Sequence, residues 1–282
     1  MQTVHKKSEL RQQLAEWRRA GERIAIVPTM GSLHAGHLSL VQLARDRADR
    51  VVVTLFVNPT QFGADEDFDE YPRSLAGDAD KLGKADADIL FAPDVATIYP
   101  FGIDGATRVV VPGLADNFCG AGRPGHFDGV TSVVARLFAL VQPDVAIFGQ
   151  KDYQQQLVVR RMVDDLNLPV EILLAPIIRE PSGLAMSSRN AYLEAADRDA
   201  AAEIYRVLNE IRQSLLNGDS DHEQLAAAAA DTLSRHVDSV EYLAIRRAAD
   251  LASPDEDTRQ FVVLVAVHLS GVRLIDNVMV DL

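Results

Sequence analysis

Residues 23 to 48 read Arg23-Ile-Ala-Ile-Val27, then Pro28-Thr-Met-Gly-Ser-Leu-His-Ala-Gly-His37, then Leu38 to Ala48. The first block is short, apolar and β-branched. The second is a loop punctuated by glycine. The third places Leu40, Val41, Leu43 and Ala44 on one helical face. This order predicts a strand, a loop and a helix. A near-continuously apolar strand feeding a helix is the opening unit of a parallel sheet covered on both faces.

The alternation extends in both directions. Ser8 to Arg19 is predicted helical, with Ser8 as N-cap and Leu10, Leu14 and Trp17 on one face. Downstream, strands are predicted at Val51–Val57, Asp88–Phe91, Val145–Phe148 and Val170–Leu174, with a more peripheral one at Arg108–Val111. Helices are predicted at Leu75–Gly83, Val130–Val141 and Tyr153–Asn167. Strands separated by helices pair in parallel through right-handed crossovers. Residues 1–175 are therefore expected to form an α/β domain with a doubly wound parallel sheet, Rossmann-like in layout. After Pro176 the pattern becomes two helices, Ala195–Leu216 and His222–His236, then strands at Val240–Ile245, Phe261–Leu269 and Val272–Val280. Residues 176–282 are expected to form a smaller α+β domain.

Composition narrows the function classes. The chain has 282 residues and a formal net charge of −13, which weighs against a broad nucleic-acid surface. No apolar run approaches the ~18 residues of a membrane span, and the first 20 residues lack the apolar core of a signal peptide. A lone Cys119 fits a reducing compartment, so a cytoplasmic protein is expected. Only five of the 28 cationic residues are lysines, and Lys151 is the only one after Lys84. That makes the loop around it a candidate binding element.

Five segments could carry chemistry. Met30-Gly-Ser-Leu-His34-Ala-Gly36-His37 joins a strand to a helix, where free backbone N–H groups and the helix dipole favour an anion. Its two histidines could donate to phosphate oxygens or offset charge on a leaving group. The competing zinc reading wants a third ligand, and none is nearby in sequence. Phe148-Gly149-Gln150-Lys151-Asp152-Tyr153 also follows a strand: Lys151 supplies a point charge, Asp152 could hold a magnesium water, and one of Gln154, Gln155 and Gln156 could face a substrate. In Met186-Ser187-Ser188-Arg189-Asn190, two hydroxyls and a guanidinium suit phosphate. Asn58-Pro-Thr-Gln61-Phe-Gly63 offers a neutral amide, and Arg123-Pro-Gly-His126-Phe a cationic lip. An acidic stretch, Asp65 to Glu70, lies between these last two. No Gly-x-x-x-x-Gly-Lys-Ser/Thr or Gly-x-Gly-x-x-Gly occurs at these loops, which disfavours a P-loop kinase and a dinucleotide dehydrogenase.

Taken in order, Pro28–His37, Phe56–Gly63, Tyr71-Pro-Arg73, Arg123–Phe127, Phe148–Tyr153 and Ala185–Asn190 resemble the pantoate–β-alanine ligase (pantothenate synthetase) family, part of a wider nucleotidyltransferase group. The resemblance implies that ATP and pantoate form an enzyme-bound pantoyl adenylate with release of pyrophosphate. β-Alanine then gives pantothenate and AMP, with Mg2+ neutralising the phosphates. It implies an ATP site of Met30, Gly31, Ser32, Leu33, His34, Ala35, Gly36, His37, Gly149, Gln150, Lys151, Asp152, Ile178, Met186, Ser187, Ser188 and Arg189. Within that site His37 would be the proton donor and His34 its phosphate-binding companion, while Lys151, Ser187, Ser188 and Arg189 would steady the triphosphate. Gln61 and Gln155 would hold pantoate, and Gln61 would also meet β-alanine. A homodimer and a lid role for residues 176–282 are implied as well. The chain departs from the family pattern at Cys119, where some relatives carry an acidic residue; that puts in question a contact supporting the Arg123–His126 loop. The alternatives are a nucleotidyltransferase acting on another small molecule, a class I-like aminoacylating enzyme, and a silent nucleotide-binding protein. The second lacks a basic RNA-reading surface, and the third sits poorly with three phosphate-suited segments.

Overall fold

The computed structural model describes residues 1–63 and 66–282. Asp65, where the acidic stretch begins, lies outside the described residues. The chain divides into two compact units, Met1–Gly149 with Val158–Pro176, and Gln150–Leu157 with Ile177–Leu282.

The first unit holds six parallel strands among the described residues: β1 (Gln2–Val4), β2 (Ile24–Thr29), β3 (Arg50–Leu55), β4 (Ile89–Phe91), β5 (Val145–Gly149) and β6 (Glu171–Ala175). Their order is β1-β4-β3-β2-β5-β6, with every pair parallel. The chain builds outward from β2 through β3 and β4, then returns to the other side of β2 with β5. The topological switch therefore falls between β2 and β5, where open α/β sheets place their ligands beyond the strand C-termini. Helices α1 (Lys7–Arg19), α2 (Ala35–Arg45), α3 (Leu75–Lys84), α4 (Val95–Ile98), α5 (Cys119–Gly122), α6 (His126–Val141) and α7 (Tyr153–Asp165) follow the strands, α7 running on from the second unit. Ala25, Val27, Val53 and Ile147 of the sheet and Val41 and Ala44 of α2 share one fully buried apolar cluster.

Several expectations are corrected. Ser8 does not cap α1; the helix starts at Lys7 behind Lys6, with no side-chain cap. Arg108–Val111 is not a strand. Its backbone is satisfied by hydroxyls of α6 instead: Val109 N–H donates to Ser132 Oγ (2.9 Å), and Thr131 Oγ1 donates to Val109 O (2.5 Å). The sheet edge is taken by β1, whose three residues pair with Ile89–Phe91 and bury only Val4. So short an edge strand has no alternation to read.

In the second unit, α8 (Ala195–Leu216) and α9 (His222–Leu233) share a core with an antiparallel sheet of β7 (Ser239–Arg247), β8 (Gln260–Leu269) and β9 (Val272–Asp281), ordered β7-β8-β9. Ile204 and Leu208 of α8 join Val263, Val265 and Leu274 of the strands in that core. No helix among the described residues is long and apolar enough to cross a membrane.

Candidate active site

After β2 the chain turns through Gly31 (φ +92°) and Ser32 (φ +51°). The turn is held from α3. Fully buried Asp78 accepts Ser32 N–H at Oδ2 and Leu33 N–H at Oδ1, both at 2.8 Å, while Lys81 Nζ donates to Leu33 O at 2.6 Å. A Cβ on residue 31 would stand 3.2 Å from Asp78 Oδ2 and from Leu55, and the left-handed φ adds strain, so glycine is needed here.

α2 begins immediately behind this turn, earlier than the Leu38 predicted from periodicity, because His34 is its N-cap. His34 Nδ1 accepts Gly36 N–H (3.2 Å), and His37 Nδ1 accepts His34 N–H (3.3 Å); the rings lie 4.1 Å apart. This is a reciprocal capping arrangement built from two imidazoles. It corrects the expectation of outward-pointing amides: the N–H groups of Ser32, Leu33, His34 and Gly36 all donate to side chains of the protein. Since both Nδ1 atoms accept, each neutral ring carries its proton on Nε2. The pair is thereby set up as two imidazole N–H donors.

The segment after β3 forms a short turn, Pro59–Gln61, built on buried Asn58. Asn58 Nδ2 donates to Gln61 Oε1 and to Gly129 O, both at 3.1 Å. Its Oδ1 accepts from Tyr99 OH (2.7 Å) and Thr60 Oγ1 (3.0 Å). With Oε1 thus occupied, Gln61 is oriented to donate through Nε2, which reaches Met30 Sδ at 3.1 Å. α6 presses against the turn at Gly129, where a Cβ would lie 2.3 Å from Thr60 O. Burial raises the Tyr99 phenol above its ordinary range, against its hydrogen bond with Thr60, the charge of Arg136 and the bond it donates to Asn58.

The Arg123–His126 loop closes on the same turn. His126 Nδ1–H donates to Gln61 O (2.8 Å), and Arg123 Nη2 donates to that oxygen at 3.3 Å. Arg123 also grips Glu66 with two bonds of 2.6 and 2.5 Å. Burial alone would raise the Glu66 carboxyl; the hydrogen bond and charge of Arg123 outweigh it and hold the group below its usual range. Glu66 is the carboxylate partner of this loop, and Cys119 is buried in α5, which ends at Gly122 directly before Arg123. A cavity of about 590 Å³ runs between Gln61, Glu66, Tyr99, Arg123 and Ser132. His34 and His37 stand outside its wall.

In the second unit, Gln150–Asp152 forms a three-residue turn ahead of α7, with Lys151 half-buried and Asp152 exposed. Tyr153 OH donates to Ala248 O at 2.8 Å. Of the three glutamines, Gln154 and Gln156 are buried and Gln155 half-buried, so they are not a solvated run. The segment from Ile178 to Met186 doubles back: Met186 N–H donates to Ile178 O (3.0 Å), beside an antiparallel bridge of Arg179 with Ala185. Ser187 then caps the turn Ser188–Tyr192, its Oγ accepting Arg189 N–H at 3.2 Å. Buried Asn190 donates to Ala185 O (3.1 Å) and Glu180 Oε1 (2.9 Å). Lys151 and Ser187, far apart in sequence, share the wall of a water-sized cavity with Asn190 and Asp276.

Of the residues singled out from sequence, Met30 to His37, Gln61 and Gly149 belong to the first unit. Gln150 to Asp152, Gln155, Ile178 and Met186 to Arg189 belong to the second. Sequence reasoning missed Asp78, Tyr99 and the pair Asp276–Asn277. Asp78 is one of two acids on α3, and nothing local marks it. Asp276–Asn277 does leave a trace, two adjacent polar residues inside an apolar strand pattern.

The family model described as "Pantoate-beta-alanine ligase" matches residues 2–279. A pantothenate synthetase from Thioalkalivibrio sulfidiphilus is 52% identical over 282 residues, covering all of this chain and 99% of that protein. The crystal structure of pantothenate synthetase from Thermus thermophilus superposes with a TM-score of 0.91 at 46% identity, covering 99% of each chain. The pantoate-beta-alanine ligase from Francisella tularensis, complexed with beta-gamma ATP and beta-alanine, gives 0.79 at 32% identity, covering 99% of this chain and 97% of that one.

Proposed function

Because the chain belongs to the pantoate–β-alanine ligase family, we propose that it condenses pantoate with β-alanine at the expense of ATP, through a pantoyl adenylate. A pantoate carboxylate oxygen attacks the α-phosphorus of ATP and pyrophosphate leaves. The β-alanine amine then attacks the acyl carbon, loses a proton, and AMP departs with the electron pair of the broken C–O bond. A free carboxylate is a poor acyl donor, and the acyl phosphate linkage supplies the leaving group.

The observation that carries this reading is the reciprocal capping of His34 and His37, which commits two Nε2–H donors to one helix start. Such donors hydrogen-bond phosphate oxygens as neutral rings, and charge building on pyrophosphate strengthens the bond in the transition state. His37 is assigned as hydrogen-bond donor to the leaving pyrophosphate through Nε2–H, and His34 as its companion. Met30 to Ala35 and Gly36, with Gly149 to Asp152, Ile178 and Met186, line the nucleotide. Lys151, Ser187, Ser188 and Arg189 steady the triphosphate.

Gln61, oriented by Asn58 to donate, holds an oxygen of pantoate together with Gln155, and Gln61 also meets β-alanine. Neutral amides suit this task, since a lysine would pair tightly with the carboxylate and dull its nucleophilicity. Among the described residues, no three His, Cys, Asp or Glu side chains group into a metal cage. Both oxygens of Asp78 are taken by backbone N–H groups. In this reading magnesium arrives on ATP, and exposed Asp152 would hold one of its waters. When bound, the ion neutralises phosphate charge.

In the same reading, residues 1–175 bind ATP and pantoate, residues 176–282 add the Ser187–Arg189 donors, and the chain works in the cytoplasm as a homodimer. An assay omitting ATP, pantoate and β-alanine in turn tests the reaction. AMP release that requires all three is expected. Nucleotide transfer to another acceptor without AMP release overturns it.

A further inference from the structure

Asp276 and Asn277 are adjacent polar residues of β9, 4% and 1% exposed. Each holds a different segment. Asn277 Nδ2 donates to the carbonyls of Gln150 and Lys151, both at 3.0 Å, and its Oδ1 accepts from Gln150 Nε2 at 3.2 Å. Asp276 receives Arg179 through two bonds, 2.6 and 2.9 Å, and takes Asn277's own N–H at 2.7 Å. Arg179 stacks on Tyr205 at 3.7 Å and donates to Asn277 O at 3.3 Å. Burial raises the Asp276 carboxyl, with Arg179 and then Lys151 among the groups pulling the other way.

The turn carrying Lys151 is only three residues long. Successive carbonyls of that turn are bound by one amide, 127 and 126 residues away in sequence. A lysine side chain is long and flexible, so the direction of its charge is set first by the backbone it leaves. We propose that Asn277 is a positioning residue for Lys151, fixing the backbone from which that ammonium reaches the nucleotide's phosphates. The inference rests on the ligase reading given above. Asparagine is the residue the geometry requires, because it donates to two carbonyls while accepting from Gln150. Alanine leaves both part-buried carbonyls without this donor, and aspartate turns an acceptor toward them. Asp276 is committed to Arg179 and cannot take over.

The test measures kcat and KM for each substrate in the full chain, for wild type, N277A, N277S, N277D, K151A and the double variant N277A/K151A. Thermal melts accompany each. N277A should lower kcat/KM for ATP by ~10–100-fold, as small misplacements of a binding group do. The KM for pantoate should change far less, and N277D should lose more than N277A. If Asn277 acts through Lys151, the double variant falls within about twofold of K151A. Additive losses across the cycle, or equal damage to every KM, would mark a merely structural role and overturn the proposal. So would wild-type kinetics in N277A. Should N277A fail to fold, N277S, which keeps one hydroxyl donor, carries the same cycle with K151A. Should the wild type form no pantothenate, the ligase reading fails. Calorimetric titration with a non-hydrolysable ATP analogue would still read the coupling between residues 277 and 151, positive if present and refuting if absent.

Discussion

The ring of His37 accepts the backbone N–H of His34 at 3.3 Å, so one histidine of the pair holds the start of the helix that presents both. Replacing it removes an Nε2 donor and a cap together. His37→Ala should lose at least ~100-fold in kcat, the scale of a lost transition-state donor. Steady-state turnover checks this, and near-normal kcat would remove His37 from the role given to it.

Asp78 is the acid beneath the Gly31–Leu33 turn, accepting two amides at 2.8 Å. An amide in its place keeps one acceptor and points an NH2 at the other donor. Asp78→Asn should cost about 1.5–3 kcal/mol of unfolding free energy and raise the KM for ATP more than that for β-alanine. Urea denaturation and initial rates measure the two effects; an unchanged urea midpoint would show that the turn holds its shape without the carboxylate.

Gly129 fails to accommodate even a methyl group, with Thr60 O only 2.3 Å from the new carbon. Gly129→Ala must push α6 away from the Asn58–Gln61 turn, at a cost of ~1–3 kcal/mol. The expected kinetic signature is a raised KM for pantoate with the KM for ATP nearly unchanged. A uniform change in both would place the damage elsewhere.

Glu66 titrates below the ordinary glutamate range in the fold, held down by Arg123 against the effect of burial. A depressed carboxyl contributes stability that is complete above the unfolded value. That stability is lost as pH falls through the lower folded value. Glu66→Gln should therefore flatten the acid side of the unfolding profile, with variant and wild type converging at low pH. Chemical denaturation at a series of pH values tests this, and parallel profiles would refute it.

The strand-loop-helix at residues 23 to 48 was readable because hydrophobic period and glycine punctuation are local signals. So were the later strands of the parallel sheet. Arg108–Val111 looked like a strand by composition, yet its backbone partners are the hydroxyls of Ser132 and Thr131, which no pattern at 108–111 encodes. β1 was missed because its only buried side chain is Val4. At the candidate site the donor types were visible, but not their orientation. That His34 and His37 turn Nδ1 inward depends on a helix beginning at Ala35, and that Gln61 donates through Nε2 depends on Asn58, Tyr99 and Gly129. The contacts of Tyr99 and Gly129 with Asn58 join residues 41 and 71 positions apart, where single-sequence reading has no purchase.

The side-by-side placement of β2 and β5 also sets an order of assembly. Ile24 N–H donates to Asp144 Oδ2 across 120 residues of chain, so the crevice between these strands does not exist until that long loop has closed. Non-local parallel pairing of this kind is slow, whereas helices form early. During refolding from denaturant, far-UV ellipticity should return well before the capacity to bind nucleotide. A molecule in that interval is largely helical and has no place to put ATP, which makes added nucleotide a trap for the final state and no aid to reaching it.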